Sequence, residues 1–301
     1  MEYKAPVEVY SGKIVEVTIG TGDKAVKIGG ENVLPFHNFE GQIANPPRVA
    51  LEIWDSEPAS WVEWVREPYK EVLSHPVDWA KKCLEYGADL ICIRLVSTDP
   101  QGENMAADAA ANKVKQVADS TKVPLVVYGS GDEVKDVQVL TRVAEICDGH
   151  KLLLGPAVKE NFESIAKAAL DHGHNVIAQT PIDINLEKEL NVKLLKTLPP
   201  ERIVIDPLSS ALGYGMEYSF TIMERTKHIG VMFGDRTMQM PIIADLGGEA
   251  WKTKQAKENK QQGINWESVT ALSLLLAGAN MLVLRHPESC RYMKEVIAGK
   301  L

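Results

Sequence analysis

The sequence predicts an eight-fold βα (TIM) barrel of the α/β class, with an N-terminal β-hairpin extension, and three observations lead there. After residue 45, eight short apolar runs alternate with segments of helical spacing. Most of the runs are continuously apolar rather than alternating, as parallel strands covered on both faces should be. The alternation fills about 250 residues, the usual span of a closed barrel rather than an open sheet.

The strands read at 49–54, 90–95, 124–128, 151–154, 175–179, 202–205, 241–244 and 281–284. Between them lie triplets with helical spacing: Ala80, Cys83 and Leu84, then Ile165, Ala168 and Ala169, then Val269, Leu272 and Leu276. Gly87, Gly173 and Gly278 each fall between a helix and the next strand, where a left-handed cap would end the helix. Residues 1–45 break this rhythm. There, 13–19 and 24–28 flank a Gly-rich turn at 20–23 and read as a hairpin. A lone hairpin is marginal in water, so this one is expected to pack on another body, either the N-terminal end of the barrel or another subunit. The whole chain, 1–301, is therefore expected to form one barrel domain, with 1–45 as an extension packed on it.

The bulk composition narrows the partners. With 301 residues, 45% of them hydrophobic, the chain can bury a large core, and a formal charge of −8 with pI near 5.5 argues against nucleic acid as a ligand. No run approaches the ~18 apolar residues of a membrane span, and Met1-Glu2-Tyr3-Lys4 does not begin a signal peptide, so a cytoplasmic protein is expected. Cys83, Cys92, Cys147 and Cys290 are scattered and read as buried free thiols.

In a βα barrel, function sits at the strand C-termini and the loops after them. Asp55, Asp206 and Asp245 are carboxylates at strand ends, suited to acid–base work or to ring nitrogens, but equally to capping the next helix or bonding within a loop. Gly129-Ser130-Gly131 and Gly247-Gly248 either admit a ligand or partner backbone or simply serve turn geometry. Two loops are long. Residues 55–75 carry Trp61, Trp64 and Tyr69, and 246–264 carry Trp251 with Lys252, Lys254, Lys257 and Lys260. The aromatics suit either a protein interface or burial on the barrel, whereas the lysines read as solvated. His172 and His174 lie at a helix-to-strand turn, away from the functional face, and read as surface or capping residues. His286 alone among the histidines follows a strand, without partners identifiable from sequence. Walker A, G-x-G-x-x-G and G-x-S-x-G motifs are all missing, which removes support for nucleotide and acyl chemistry.

Five segments carry a resemblance: VALEIWD at 49–55, IRLVSTDP at 93–100, VYGSG at 127–131, LGPA at 154–157 and IDPLSSALGYG at 205–215. On these the chain resembles the small subunit of the corrinoid iron–sulfur protein of anaerobic acetyl-CoA synthesis. It is also similar to the delta subunit of acetyl-CoA decarbonylase/synthase. The resemblance implies a non-catalytic subunit whose C-terminal barrel face covers a corrinoid (cobalamin) held by the large subunit of a heterodimer. That large subunit would also carry the four-iron cluster. Methyltetrahydrofolate methyltransferase and acetyl-CoA synthase are the implied partners, with methyl passing through cobalt from the one to the other. The rim residues implied to meet the corrin are Asp55, Ser97, Ser130, Gly131, Thr180, Asp206, Gly247 and Arg285, and no metal ligand is implied on this chain. Scattered cysteines and the lack of a D-x-H-x-x-G signature agree with that division of labour.

The alternative is a pterin-dependent methyltransferase of the same barrel type, because Asp206-Pro207-Leu208 looks like the pterin-binding element of those enzymes. Against it, Arg94-Leu95-Val96-Ser97 stands where they show an Asn or Asp run. An aldolase barrel is weaker still, for want of a Schiff-base lysine at a strand end.

Overall fold

The computed structural model describes residues 6–299. Two strands, β1 (Glu16–Ile19) and β2 (Val26–Gly29), pair antiparallel, with Val17 opposite Ile28. Eight parallel strands follow: β3 (Arg48–Trp54), β4 (Leu90–Arg94), β5 (Leu125–Tyr128), β6 (Leu153–Ala157), β7 (Asn175–Gln179), β8 (Ile203–Asp206), β9 (Ile243–Asp245) and β10 (Met281–Leu284). Their order in the sheet is β8-β7-β6-β5-β4-β3-β10-β9. A single parallel bridge, Ile205 to Ile242, joins β8 to the segment entering β9 and closes the barrel.

The helices are α1 (Glu63–Arg66), α2 (Pro76–Glu85), α3 (Ala107–Thr121), α4 (Glu133–Ile146), α5 (Phe162–Asp171), α6 (Ile184–Leu194), α7 (Met216–Lys227), α8 (Gly247–Lys252), α9 (Lys260–Leu276) and α10 (Pro287–Ile297). Side-chain caps start several of them: Asp132 accepts from Lys135 N, Asp183 from Leu186 N and Asn259 from Gln262 N. Gly87, Gly173 and Gly278 have φ of 90°, 76° and 109°, the left-handed conformation their positions foretold.

Both strand faces are apolar. Outward residues such as Leu51, Ile93, Val127 and Ile205 pack under the helices. Inward residues, among them Leu90, Val126, Leu153, Ile177 and Val283, form a second cluster, into which Val17, Ile19 and Ile28 of the hairpin insert fully buried. Backbone contacts show which end they enter. Gly20 N donates to Lys151 O and Asn175 Nδ2 to Thr18 O, both at strand starts, so the hairpin plugs the N-terminal end.

Several details depart from the sequence reading. Residues 155–157 continue β6 instead of opening a loop, because Gly155 lies against Ile177, with no room for a Cβ. Of the two readings open for the loop aromatics the structure takes burial: Trp61, Tyr69 and Trp251 are buried on the barrel and Trp64 is half-buried. His174 is fully buried rather than superficial. Its Nδ1 accepts from Leu152 N at 3.0 Å and its Nε2 donates to Ala144 O at 3.0 Å, and burial lowers its pKa to about 4. The four cysteines are buried and free, as expected.

A buried ion pair anchors the N-terminal segment. Lys227 Nζ, at the end of α7, donates to Glu31 Oε1 and to Asn280 Oδ1 at 2.6 Å, and Asn280 Nδ2 donates to the same Glu31 oxygen at 2.9 Å. Removing one partner strands a buried charge. Lys227→Ala should therefore cost about 3 to 5 kcal/mol in guanidinium unfolding. Lys227→Met combined with Glu31→Leu should recover most of that loss. A double variant no more stable than Lys227→Ala would mean that something other than charge pairing holds the anchor.

Candidate functional site

Most barrel strands carry a polar inward side chain toward their C-terminal end. From β3 round to β10 these are Glu52, one inward position below the terminal Trp54, then Arg94, Tyr128, Gln179, Asp206 and Asp245, and Arg285 directly follows β10. They join into one belt across the C-terminal mouth. Arg285 grips Glu52 with a fork, Nε to Oε2 at 3.0 Å and Nη2 to Oε1 at 2.9 Å. Arg94 Nε reaches Glu52 Oε1 at 3.3 Å, and its Nη2 donates to Asp245 Oδ2. The Arg94 guanidinium also lies 4.7 Å over the Tyr128 ring, whose hydroxyl donates to Asp206 Oδ2 at 3.0 Å. Gln179 Nε2 donates to that same oxygen at 2.8 Å and Leu208 N to Asp206 Oδ1 at 3.0 Å.

Two opposed pKa shifts follow from this wiring. Burial alone would push Glu52 upward, but Arg285 and then Arg94 override it and hold the carboxyl at about 2. Asp206 has no cation beside it. Burial, reinforced by the Asp245 charge, lifts it to about 6, despite hydrogen bonds from Gln179, Leu208 and Tyr128.

Above Glu52 the aromatic residues of the 55–75 loop close over the ion pair. The Arg285 guanidinium sits 4.4 Å from the centre of Trp61 and 5.7 Å from that of Trp54, while Tyr69 OH donates to Arg285 O at 3.0 Å. Glu267 of α9 accepts from Arg285 N and His286 N at 2.7 and 3.1 Å and fixes the end of β10. His286 then caps α10, its Nδ1 accepting from Glu288 N.

The expected rim residues divide by location. Asp206 and Arg285 belong to the belt. Thr180 opens onto a cleft of about 350 Å³ beside it, lined by Gln179, Pro181, Leu186, Leu190 and Leu208, and its hydroxyl lacks a hydrogen-bond partner. Asp55 and Ser97 form a separate buried pair, Ser97 N and Oγ both donating to the Asp55 carboxylate. Ser130 and Gly131 wrap the Asp136 carboxylate, which accepts from Ser130 N at 2.8 Å and Gly131 N at 3.0 Å. Gly247 packs against β10, where a Cβ would lie 3.0 Å from Arg285 N. Of the three strand-end carboxylates none caps a helix: Asp55 bonds to Ser97 in the loop after β4, Asp206 to Tyr128, Gln179 and Leu208, and Asp245 pairs with Arg94.

Glu52, Arg94, Tyr128 and Gln179 were not singled out as site residues. Their signal is a lone polar residue at an inward position late in an otherwise apolar run, as in Leu90-Ile91-Cys92-Ile93-Arg94.

A sequence model described as CO dehydrogenase/acetyl-CoA synthase delta subunit matches residues 16–297. The chain belongs to this family. The acetyl-CoA decarbonylase/synthase complex subunit delta of Archaeoglobus fulgidus is 36% identical, over 98% of this chain and 70% of that protein. The subunit of the same description from Methanothermobacter thermautotrophicus is also 36% identical, over 98% and 78%. Solved structures with the same fold include dihydropteroate synthases. The Thermus thermophilus enzyme superposes with a TM-score of 0.57 at 15% identity, over 94% of this chain and all of that one. The Xanthomonas albilineans enzyme gives 0.58 at 13% identity, over 86% and 95%. At such identities the likeness is one of fold. None of the described helices is long and apolar enough to cross a membrane.

The raised pKa of Asp206 has a definite sign in stability. The folded state binds this proton more tightly than the unfolded chain, so the group's contribution is fully present below about pH 4 and is lost as pH rises through about 6. Asp206→Asn removes that loss. Relative to the unmodified chain, the variant should gain on the order of 2 to 3 kcal/mol between pH 4 and 7, read from denaturant midpoints. A stability difference that stays flat across that range would mean that Asp206 titrates normally.

Proposed function

We propose that this delta-family chain is the small subunit of a corrinoid iron–sulfur protein, and that its C-terminal barrel face covers the corrinoid held by a large subunit. One observation carries the reading: the mouth is occupied by its own side chains. Both arginines, the groups that an enzyme would aim at a substrate anion, are committed to Glu52 and Asp245. Asp206, the strand-end carboxylate that a pterin enzyme would turn toward its ring, already accepts three hydrogen bonds from the protein. Such a face suits covering a cofactor borne by another chain better than enclosing a substrate.

The residues present fit a large, neutral, amide-edged ring. Two arginines oppose three carboxylates, so the belt lies within one charge of neutrality. Leu186 and Leu208 offer apolar contact beside it, and the unpartnered hydroxyls of Thr180 and Ser209 can meet amides. When bound, the corrinoid would supply the cobalt that accepts methyl from methyltetrahydrofolate, through its methyltransferase, and yields it to acetyl-CoA synthase. This chain's own part would be to exclude water and oxidants from the covered face between those encounters. Its Ser130–Gly131 loop and the β7–β8 cleft would form the edge of the lid. The four-iron cluster would belong to the large subunit.

The test uses the heterodimer co-purified anaerobically with its large subunit. Ser130→Trp adds bulk at the rim and should speed oxidation of the reduced corrinoid severalfold, followed in the visible spectrum. His172→Ala, at the opposite end of the barrel where α5 stops, should leave the rate alone. Melting temperatures of both variants control for unfolding. An unchanged rate in Ser130→Trp together with a faster one in His172→Ala would assign the covering face to the wrong end.

A further inference from the structure

The base of the barrel carries a second feature that the covering role leaves unused. Three of the chain's five phenylalanines, Phe36, Phe39 and Phe233, are 56, 68 and 73% exposed, and Val9 is 91% exposed. Val9, Phe39 and Phe233 belong to segments joined at the end of the barrel that the hairpin plugs, while Phe36 tilts against Phe220 of α7 at 6.3 Å. Ser11 Oγ donates to Met232 O and Gly12 N to Val231 O, which lays the 9–12 segment beside Phe233. On its other side, Tyr10 donates to Glu40, whose carboxylate also meets His37, and the His37 ring stacks on Phe39 at 5.9 Å.

The platform is built by constrained backbone. Residues His228–Met232 form a π-helical turn, an uncommon element that tends to mark functional places. A Cβ on Gly12 would lie 2.0 Å from Gly230 O, and one on Gly230 2.4 Å from Met238 O, so the two segments meet only through glycine. Phe36 itself is left-handed, with φ of 65°, a strained conformation for so bulky a residue.

We infer that this base is a docking surface for another protein subunit of the same complex, one presenting an apolar and charge-poor face. The inference rests on membership of a family of complex subunits, not on the corrinoid reading. The relatives are named as subunits of a complex, and large apolar side chains left exposed on neighbouring segments mark contacts with other chains. The charges within the platform are internally tied, Glu40 to Tyr10 and His37, and Asp235 to Lys188 at 2.6 Å. The remaining ones nearby, Glu8, Lys13 and Arg236, have mixed sign, unlike the polybasic clusters that anionic membranes attract.

The experiment places a photo-cross-linking phenylalanine at 233 and, separately, at 208, in the full complex assembled from co-expressed subunits. Position 233 should capture a subunit different from the one captured at 208. Phe233→Asp with Phe39→Asp should weaken binding of that subunit at least tenfold, while the melting temperature and the 208 cross-link persist. The milder Phe233→Ser should show the same loss to a smaller degree. The inference is overturned by any of four results: a cross-link from 233 to a second copy of this chain with a dimer in light scattering, the same subunit captured at both positions, co-sedimentation with phosphatidylglycerol vesicles, or no loss of any subunit in the variants. Failure at 208 alone would instead count against the covering role and leave this surface standing.

Discussion

Glu52 is the constraint around which the mouth is arranged. A carboxylate with no exposure in the middle of a barrel strand is unstable unless cations meet it there, and here two do. Arg285 comes from the far end of the chain, 233 residues on, and Arg94 from the adjacent strand. Glu52 does not occupy the whole of either guanidinium: Arg94 turns its Nη2 to Asp245, and Arg285 lies against the faces of Trp61 and Trp54. Gly247 and Gly248 belong to the same logic. A side chain at either would crowd Arg285, so glycine is needed for the fork to reach Glu52.

The two ends of the barrel solve different problems with different chemistry. At the N-terminal end the interior is apolar, and the hairpin fills it with Val17, Ile19 and Ile28, so a segment too short to fold alone gains its stability from the barrel. Among the described residues no separate plug lies at the C-terminal end. The strands close that end with their own polar side chains, at the cost of burying ions that must be matched almost one for one. The consequence is stiffness in the β3, β4 and β10 sector, whose side chains are locked by forks and aromatic faces. The sector at β7 and β8 differs, since Thr180 and Ser209 keep unpartnered hydroxyls beside an open cleft and Leu208 holds a left-handed backbone.

That contrast explains which parts were legible in sequence. Parallel strands buried on both faces announce themselves as apolar runs, and helix ends as glycines, because each of those signals is local. The hairpin was legible for the same reason, and even its need for a larger body to pack on followed from its size. The belt was not, because its meaning lies in pairings between residues far apart in the chain. Glu52 passes as one residue of the strand at 49–54, and Arg94 stands in the sequence only as a departure from an enzyme's pattern. Trp61 could be read as interface or as core until Arg285 was seen beneath it. Asp55 and Ser97 stand at the rim, where they satisfy each other across the β3 and β4 loops, a pairing that strand-end position alone does not reveal.

The distribution of satisfied and unsatisfied groups bears on how such a subunit works. A surface meant to lie over a reactive centre and lift away repeatedly gains nothing from free charges, because each closure would have to desolvate them again. In the belt most of that cost is met once, during folding, by pairing the arginines with Glu52 and Asp245. Asp206 is the exception, a carboxyl shielded from water without a cation, and its raised pKa leaves the charge of the mouth adjustable by a single proton. It stands next to the open β7–β8 sector rather than the locked one, sharing Gln179 with the cleft and carrying Leu208 on its own hydrogen bond. A ligand edge entering that cleft would therefore displace few internal bonds, whereas entry between β3 and β10 would require breaking the Glu52 fork. In the covering role proposed above, approach from the β7–β8 side would be the less costly of the two, and the rigid half of the mouth would serve as the wall against which the ligand edge is registered.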